Sequence, residues 1–425
     1  MISLAYRLSD NNTDPEWPEG YLTYFKDRLI SNSRLSRASV EKGLSAYILA
    51  KAFTGQKWRP LLVNEVLDKG QGSTADRKLS TKTLADVVEA LVGAAYLEGG
   101  INMASRCISL FVDDHEWPDI STSQANLFNQ ISPADVQPWT LVDLEELIGY
   151  KFLKKALLVE AMTHASYVAD EKQRSLDRLE FLGDAVLDNI IVTRIYAVKP
   201  PLSHDQMHIL KTATVNADFL AFMSMEHNLS RPELVIGEEG EIVLQKVATP
   251  LWKFLRHASP VVGTEQASTA ERYARLRGEI VQAMEHGTHY PWALLARLQA
   301  KKMFSDQVES LIGAVWIDSG SLKVCEDIVR RLGILKYLDR LIRDNVQVQH
   351  PKEVLGIYAG NEMVTYQVDV AQKPKGEREY KCKVLVGRRL VAAVEDGVSK
   401  EEVKTKAATE AVRVYELEKM DTSAG

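Results

Sequence analysis

Residues 175–196 read SLDRLEFLGDAVLDNIIVTRIY. Apolar side chains, including Leu179, Phe181, Leu182, Val186, Leu187, Ile190 and Ile191, fall nearly all round a helical wheel, the pattern of a buried central helix. Glu180 and Asp184, four apart, share one face of it. Gly183 between them lowers helix propensity by about 1 kcal/mol relative to Ala, which points to close approach of another backbone. A second acid pair stands far downstream in FSDQVESLIGAVWIDSG (304–320), where Asp306 and Glu309 are three apart.

That second phrase occurs twice. LADVVEALVGAAYLEGG (84–100) sets Lys82 against Lys302, Asp86 against Asp306, Glu89 against Glu309, Gly93-Ala94 against Gly313-Ala314 and Gly100 against Gly320. An earlier echo, KDRLISNSRLSRAS with Asn32 and KTATVNADFLAF with Asn216, precedes each copy. Two echoes in one order indicate a duplicated domain. From Asn32 to Asp86 is 54 positions and from Asn216 to Asp306 is 90, so the second copy carries about 36 more residues, expected within 230–295.

The first copy is expected over 1–114, the second over 139–345, and a polar, proline-punctuated linker over 115–138. Beyond residue 345 the periodicity changes to alternating runs, TYQVDV, YKCKVLV and RLVAAVED, followed by a Lys- and Ala-rich helix from about 399 to 418. A small α+β module is expected over 346–420, after a mainly helical region.

The chain has 425 residues, 45% of them hydrophobic, enough for two or three cores. No run approaches the length of a membrane span. Cys107, Cys325 and Cys382 match no metal spacing and suggest a reduced, intracellular setting, cytoplasmic or nuclear. A net charge of −6 argues weakly against nucleic acid. Yet KPKGEREYKCKVLVGRR (373–389) holds seven basic residues against two acidic, so the average conceals a basic patch. No Gly-x-x-x-x-Gly-Lys-Ser/Thr loop occurs, so no ATP-driven unit of that type is expected.

If the two acid-bearing helices cross at these residues, Glu180 and Asp184 face Asp306 and Glu309. Four convergent carboxylates repel unless a cation neutralises them, and hard oxygen donors suit Mg²⁺ or Mn²⁺ rather than zinc. Two such ions could activate water for phosphodiester hydrolysis. Lys302, one turn before Asp306, could steady phosphate charge. A lone Glu-x-x-x-Asp could equally be an ion pair with Arg178 or Arg194; two pairs in one domain, one of them repeated, favour the site.

THASYVADEKQRSLDRLEFLGDAVLD (163–188) closely resembles the ribonuclease III signature, and KMFSDQVESLIGAVWIDSG that family's downstream metal-binding helix. Two such domains followed by a small α+β module resemble the C-terminal part of a Dicer, most like the fungal Dicer-like enzymes. The resemblance implies two tandem all-helical ribonuclease III-type domains and a double-stranded-RNA-binding-like domain. It further implies Mg²⁺- or Mn²⁺-dependent cleavage of double-stranded RNA to 5′-phosphate and 3′-hydroxyl ends, in RNA silencing.

Glu180, Asp184, Asp306 and Glu309 would be metal ligands and catalytic acids, with Asp177 aiding assembly. His164 would buttress the signature helix, and Asn32 and Asn216 would be structural. Asp86 and Glu89 would be the first copy's ligands. The domains would pair within the chain, or between two chains. In the last module, Lys400, Lys404 and Lys406 at the helix start would grip phosphates, with Lys381 and Lys383 on the basic strand; Glu401 stands where a second lysine is common.

The first copy departs from the pattern. Residues 1–31 supply no Glu-x-x-x-Asp pair, and Asp10 and Asp14 lie in the turn-like DNNTD. Either Met1 is not the true start or half a site is lost, and the first copy as written is expected to be inactive. The alternative to a nuclease is an inactive RNA-binding scaffold, which would be expected to have lost at least one of Glu180, Asp184, Asp306 and Glu309.

Overall fold

A computed structural model describes residues 19–48, 79–113, 117, 119–131, 141–167, 174–236, 241–372 and 378–423. Asp10, Asp14 and the start of the basic run at 373–377 lie outside the described residues. The chain divides into two compact units, Met1–Ser132 and Pro133–Gly425.

The described part of the first unit is helical: α1 (Glu19–Ile30), α2 (Asn32–Glu41), α3 (Thr81–Ser109) and α4 (Ile120–Gln130). Ser31 caps α2, its hydroxyl accepting from Arg34 N at 3.4 Å. The Ser80 hydroxyl does the same for α3, accepting from Thr83 N at 3.0 Å. Helix α3 packs on α2 and kinks at Gly99-Gly100, where Gly100 has φ +66°. The segment expected as a linker, 115–138, is not irregular throughout. Helix α4 occupies Ile120–Gln130 and buries Ser123 and Leu127, because Leu127 supplies an apolar contact that the polar composition around it conceals.

In the second unit come α5 (Leu144–Ile148), α6 (Lys155–Ala161), α7 (Asp177–Tyr196), α8 (His204–Val215) and α9 (Ala217–Glu226). The hairpin β1 (Asn228–Ile236) and β2 (Ile242–Pro250) follows, then α10 (Pro260–His286), α11 (Trp292–Arg297), α12 (Met303–Ser319), α13 (Leu322–Arg331) and α14 (Ile334–Arg343). The centre is the crossing of α7 and α12, both apolar around most of their circumference and both buried along most of their length. Helices α9 and α6 cover further faces of α12.

The hairpin, which begins at Asn228, and α10 lie largely within the expected insertion, so the second domain is mainly rather than wholly helical. The hairpin is antiparallel, Asn228 opposite Pro250 through Ile236 opposite Ile242. Strand-forming Val and Ile flank the Gly-containing GEEG in ELVIGEEGEIVLQ, a hairpin signal in the sequence masked by the surrounding helical pattern.

The last module runs α15 (Pro351–Ala359), β3 (Val364–Gln372), β4 (Arg378–Val386), β5 (Arg389–Gly397) and α16 (Lys400–Ser423), with an antiparallel sheet ordered β3-β4-β5. Cys382, Val384, Val386 and Val394 pack against Val403, Ala407, Ala408, Ala411 and Val412, with Leu355 and Ala359 of α15 completing the core. The alternation of the strands and the i, i+4 spacing on α16 are what the sequence pattern predicts. Among the described residues no helix is long and apolar enough to cross a membrane.

Candidate metal centre and nucleic-acid module

Gly183 and Gly313 make the central crossing. A Cβ on Gly183 would lie 1.7 Å from the Glu309 carbonyl oxygen, and one on Gly313 would lie 2.2 Å from that of Leu179. Only bare backbone fits there, so the two helices touch and their acid-bearing faces meet at one level. Gln307 holds α12 from another side, donating to the Leu251 carbonyl at 2.9 Å, and the Ser310 hydroxyl donates to that of Ala161 at 2.8 Å.

The meeting is close. Carboxylate oxygens of Glu180, Asp306 and Glu309 all lie within 4.8 Å of one another, the one such cluster among the described residues. Glu180 and Asp306 are buried. Asp184, half-buried, is outside this tightest group, yet among the charges acting on Glu309 its own raises the pKa most. Burial first, and then the charges of Asp184, Glu180 and Asp306, push the Glu309 carboxyl up to about 9, with Lys302 pulling the other way. The Lys302 ammonium bridges the cluster, bonded to Glu180 and 3.2 Å from Asp306 Oδ1. A cation already sits where the acids converge.

The two arginines that could have paired with the acids of the signature helix have other partners. Arg178 binds buried Glu160 at 3.1 Å, and Arg194 lies 2.9 Å from Asp339. Asp177 accepts from the Ser175 hydroxyl at 3.0 Å at the start of α7. The His164 ring stays in its own turn, Nδ1 2.9 Å from Ser166 Oγ, and burial lowers its pKa. Asn216 caps α9, accepting from Phe219 N at 3.0 Å and contacting the Tyr290 hydroxyl at 3.0 Å. In the first copy the corresponding cap is Ser31, one residue before Asn32.

Asp318 escapes a reading by spacing. Buried near the end of α12, it accepts from the Tyr150 hydroxyl, Leu153 N and Lys154 N at 2.8–2.9 Å, fixing the turn before α6. Its alignment with Glu98 in the repeat is the one signal that could have found it.

Asp86 and Glu89 are not gathered. Both are exposed on α3, and Asp86 pairs with Lys82 at 2.8 Å. Most of the candidate lysines of the last module are already matched. Lys381 pairs with Glu395 at 3.0 Å, Lys404 with Glu401 at 3.1 Å and Lys406 with Asp396 at 2.6 Å, while Glu401 also takes Lys352 at 2.7 Å. Lys383 and Lys400 are exposed, without a carboxylate partner among the described residues.

A family model for the ribonuclease III domain matches residues 2–100 and 177–320, more than half the chain and both copies. The chain belongs to the ribonuclease III family. A second match, to the Dicer-like protein 2 dsRNA binding domain, covers 344–424. Dicer-like protein 2 of Pyricularia oryzae is 46% identical over 441 residues, covering 98% of this ribonuclease III-family chain and 29% of that protein. The protein of the same name from Cryphonectria parasitica is 42% identical over 419 residues, covering 93% and 29%. The chain thus spans under a third of the length of these curated relatives. Among solved structures, the nuclease domain of ribonuclease III from Campylobacter jejuni aligns at TM-score 0.30 and 22% identity over 46% of this chain and 97% of that one, too slight a likeness to bear on the fold.

Proposed function

We propose that the chain is the cleaving part of a Dicer-like endoribonuclease that hydrolyses double-stranded RNA, with its reaction centre in the second copy. One observation carries the reading: Glu180, Asp306 and Glu309 meet with Asp184 beside them, where burial and the neighbouring acids push the Glu309 carboxyl up. Such an all-oxygen set fits Mg²⁺ or Mn²⁺. When bound there, one or two of these ions would lower the pKa of a water and offset charge building on the phosphodiester.

The chain's own groups supply the rest. Gly183 and Gly313 fix the crossing, so the carboxylates are held before substrate arrives and need no reorganisation. Lys302, more than half exposed, presents its ammonium at the mouth of the cluster, where phosphate oxygens would come. Products with 5′-phosphate and 3′-hydroxyl ends, pairing of the two copies within or between chains, and a place in RNA silencing complete this reading. It is supported by the tandem ribonuclease III matches and the dsRNA-binding match. The retention of all four acids counts against a scaffold that has lost activity.

The test is cleavage of duplex RNA labelled on either strand, with Mg²⁺, Mn²⁺ or chelator. Metal-dependent cutting that disappears in Glu309→Gln is the expected result. Near wild-type cutting by that variant would overturn the assignment.

A further inference from the structure

The last module meets the nuclease domain at a point three residues from Lys302. Arg297, the last residue of α11, donates to Glu402 Oε1 at 3.1 Å and lies 3.5 Å from Asp396. Glu402 is almost wholly buried. Its other oxygen accepts from Val398 N at 2.9 Å, closing the first turn of α16. The Gln299 side chain donates to the Val398 carbonyl at 2.7 Å. On the nuclease side, Arg272 of α10 donates to the carbonyls of Leu298 at 2.6 Å and Gln299 at 3.3 Å.

Two non-glycine residues take left-handed backbone at this junction, Gln299 at φ +47° and Asp396 at φ +61°, one on each side. Such conformations persist where the surroundings over-determine them. Here the surroundings are the contacts just named. From Gln299 the chain runs directly through Ala300 and Lys301 to Lys302, whose carbonyl opens α12 by accepting from Asp306 N at 3.0 Å. The same residue's ammonium bridges Glu180 and Asp306.

We propose that Arg297 and Gln299 are positioning residues: anchored on Glu402 and the Val398 carbonyl, they fix the backbone that presents Lys302 to the acidic cluster. The last module is then a structural part of the reaction centre as well as an RNA-binding domain. The proposal rests on the nuclease reading only for its effect on rate. The placement of Lys302 is measurable without cleavage.

The variants are Arg297→Ala, Gln299→Ala and Glu402→Gln, with Arg297→Lys as the conservative control. In metal-free buffer, the acylation rate of Lys302 is read by mass spectrometry against Lys246 of the hairpin in the same sample. Single-turnover cleavage and duplex-RNA affinity are measured in parallel. Displacing a group from its working position costs about tenfold or more in rate. The three disrupting variants should therefore cut about tenfold more slowly at saturating RNA, with affinity within about twofold of wild type and Lys302 labelled several-fold faster. Arg297→Lys should restore most of both. Unchanged Lys302 labelling in all three overturns the proposal, as does a defect that vanishes at saturating RNA. If labelling rises although the wild-type chain cuts nothing, the nuclease reading fails and the positioning role stands.

Discussion

Helices α3 and α12 are two versions of one phrase in different surroundings. Helix α12 is buried almost end to end, whereas α3 buries only Ala85 and Val88 among its described neighbours. Gly313 lies against the backbone of α7; Gly93, its counterpart, has no described atom within 4 Å of where a Cβ would sit. Asp306 and Glu309 join Glu180, while Asp86 pairs with Lys82 and Glu89 faces outward. An Asp-x-x-Glu helix is thus half a device. It becomes part of a convergent acid cluster only where a second helix brings its own acids across a glycine contact.

Removing one acid from each copy should separate the two helices most strongly. Asp306→Asn should lower the cleavage rate by about 10²–10³-fold or more, since both charge stabilisation and ion binding depend on it. Asp86→Asn should leave the rate within about twofold of wild type. Strand-labelled duplex RNA reports both. Equal losses would show that the two acid pairs are equivalent in the working protein.

The glycines give opposite signs for one substitution. Gly313→Ala forces a methyl into the Leu179 carbonyl and should cost about 3 kcal/mol in denaturant unfolding. Gly93→Ala meets open space among the described residues and should stabilise its helix by roughly 0.5–1 kcal/mol. Destabilisation by Gly93→Ala would reveal a close neighbour on α3 and make the copies more alike.

A third prediction uses Glu309, whose pKa of about 9 is the product of burial beside three other acids. From the ordinary carboxylate range up to about pH 9, folded Glu309 holds a proton that the unfolded chain has released. The cation-free fold therefore loses stability as pH rises through that window. A bound cation favours the ionised form, so Mn²⁺ binding at pH 7 should release about one proton and tighten as pH rises. Titration calorimetry in two buffers of different ionisation enthalpy counts that proton. The release should disappear in Glu309→Gln, and a value near zero in the wild type would contradict the assigned shift.

The smallest effect is expected in the last module. Glu401→Lys removes the carboxylate shared by Lys352 and Lys404 and supplies a further cation. Duplex-RNA affinity should rise, and its salt dependence should steepen by roughly 0.9 for each further phosphate neutralised. Fluorescence anisotropy over a salt series measures both. An unchanged slope would mean that the start of α16 does not face RNA.

Much of this architecture is legible in the chain. The buried character of 175–196, the alternating strands of the last module and the need for a bare backbone at Gly183 follow from local periodicity or from glycine chemistry, and the duplication follows from two echoes in one order. So does the aligned pair Gly100 and Gly320, which take φ +66° and +64° in their separate copies. The helix at 120–130 and the hairpin at 228–250 are not legible in the same way, because short apolar signals are diluted by polar or helical surroundings. Asp318 is hidden for a different reason: a buried acid serving as a backbone acceptor has no spacing signature.

The elements, their repetition and the identity of the acids depend on residues near one another in the chain, so they can be read along it. Which acids meet, that burial and its neighbours raise the Glu309 pKa, and that most candidate RNA-gripping lysines are already paired emerge only from packing. Those outcomes depend on distances between groups as many as 129 positions apart, as Glu180 and Glu309 are. Burial, a property of the packed whole, sets what each charge then costs.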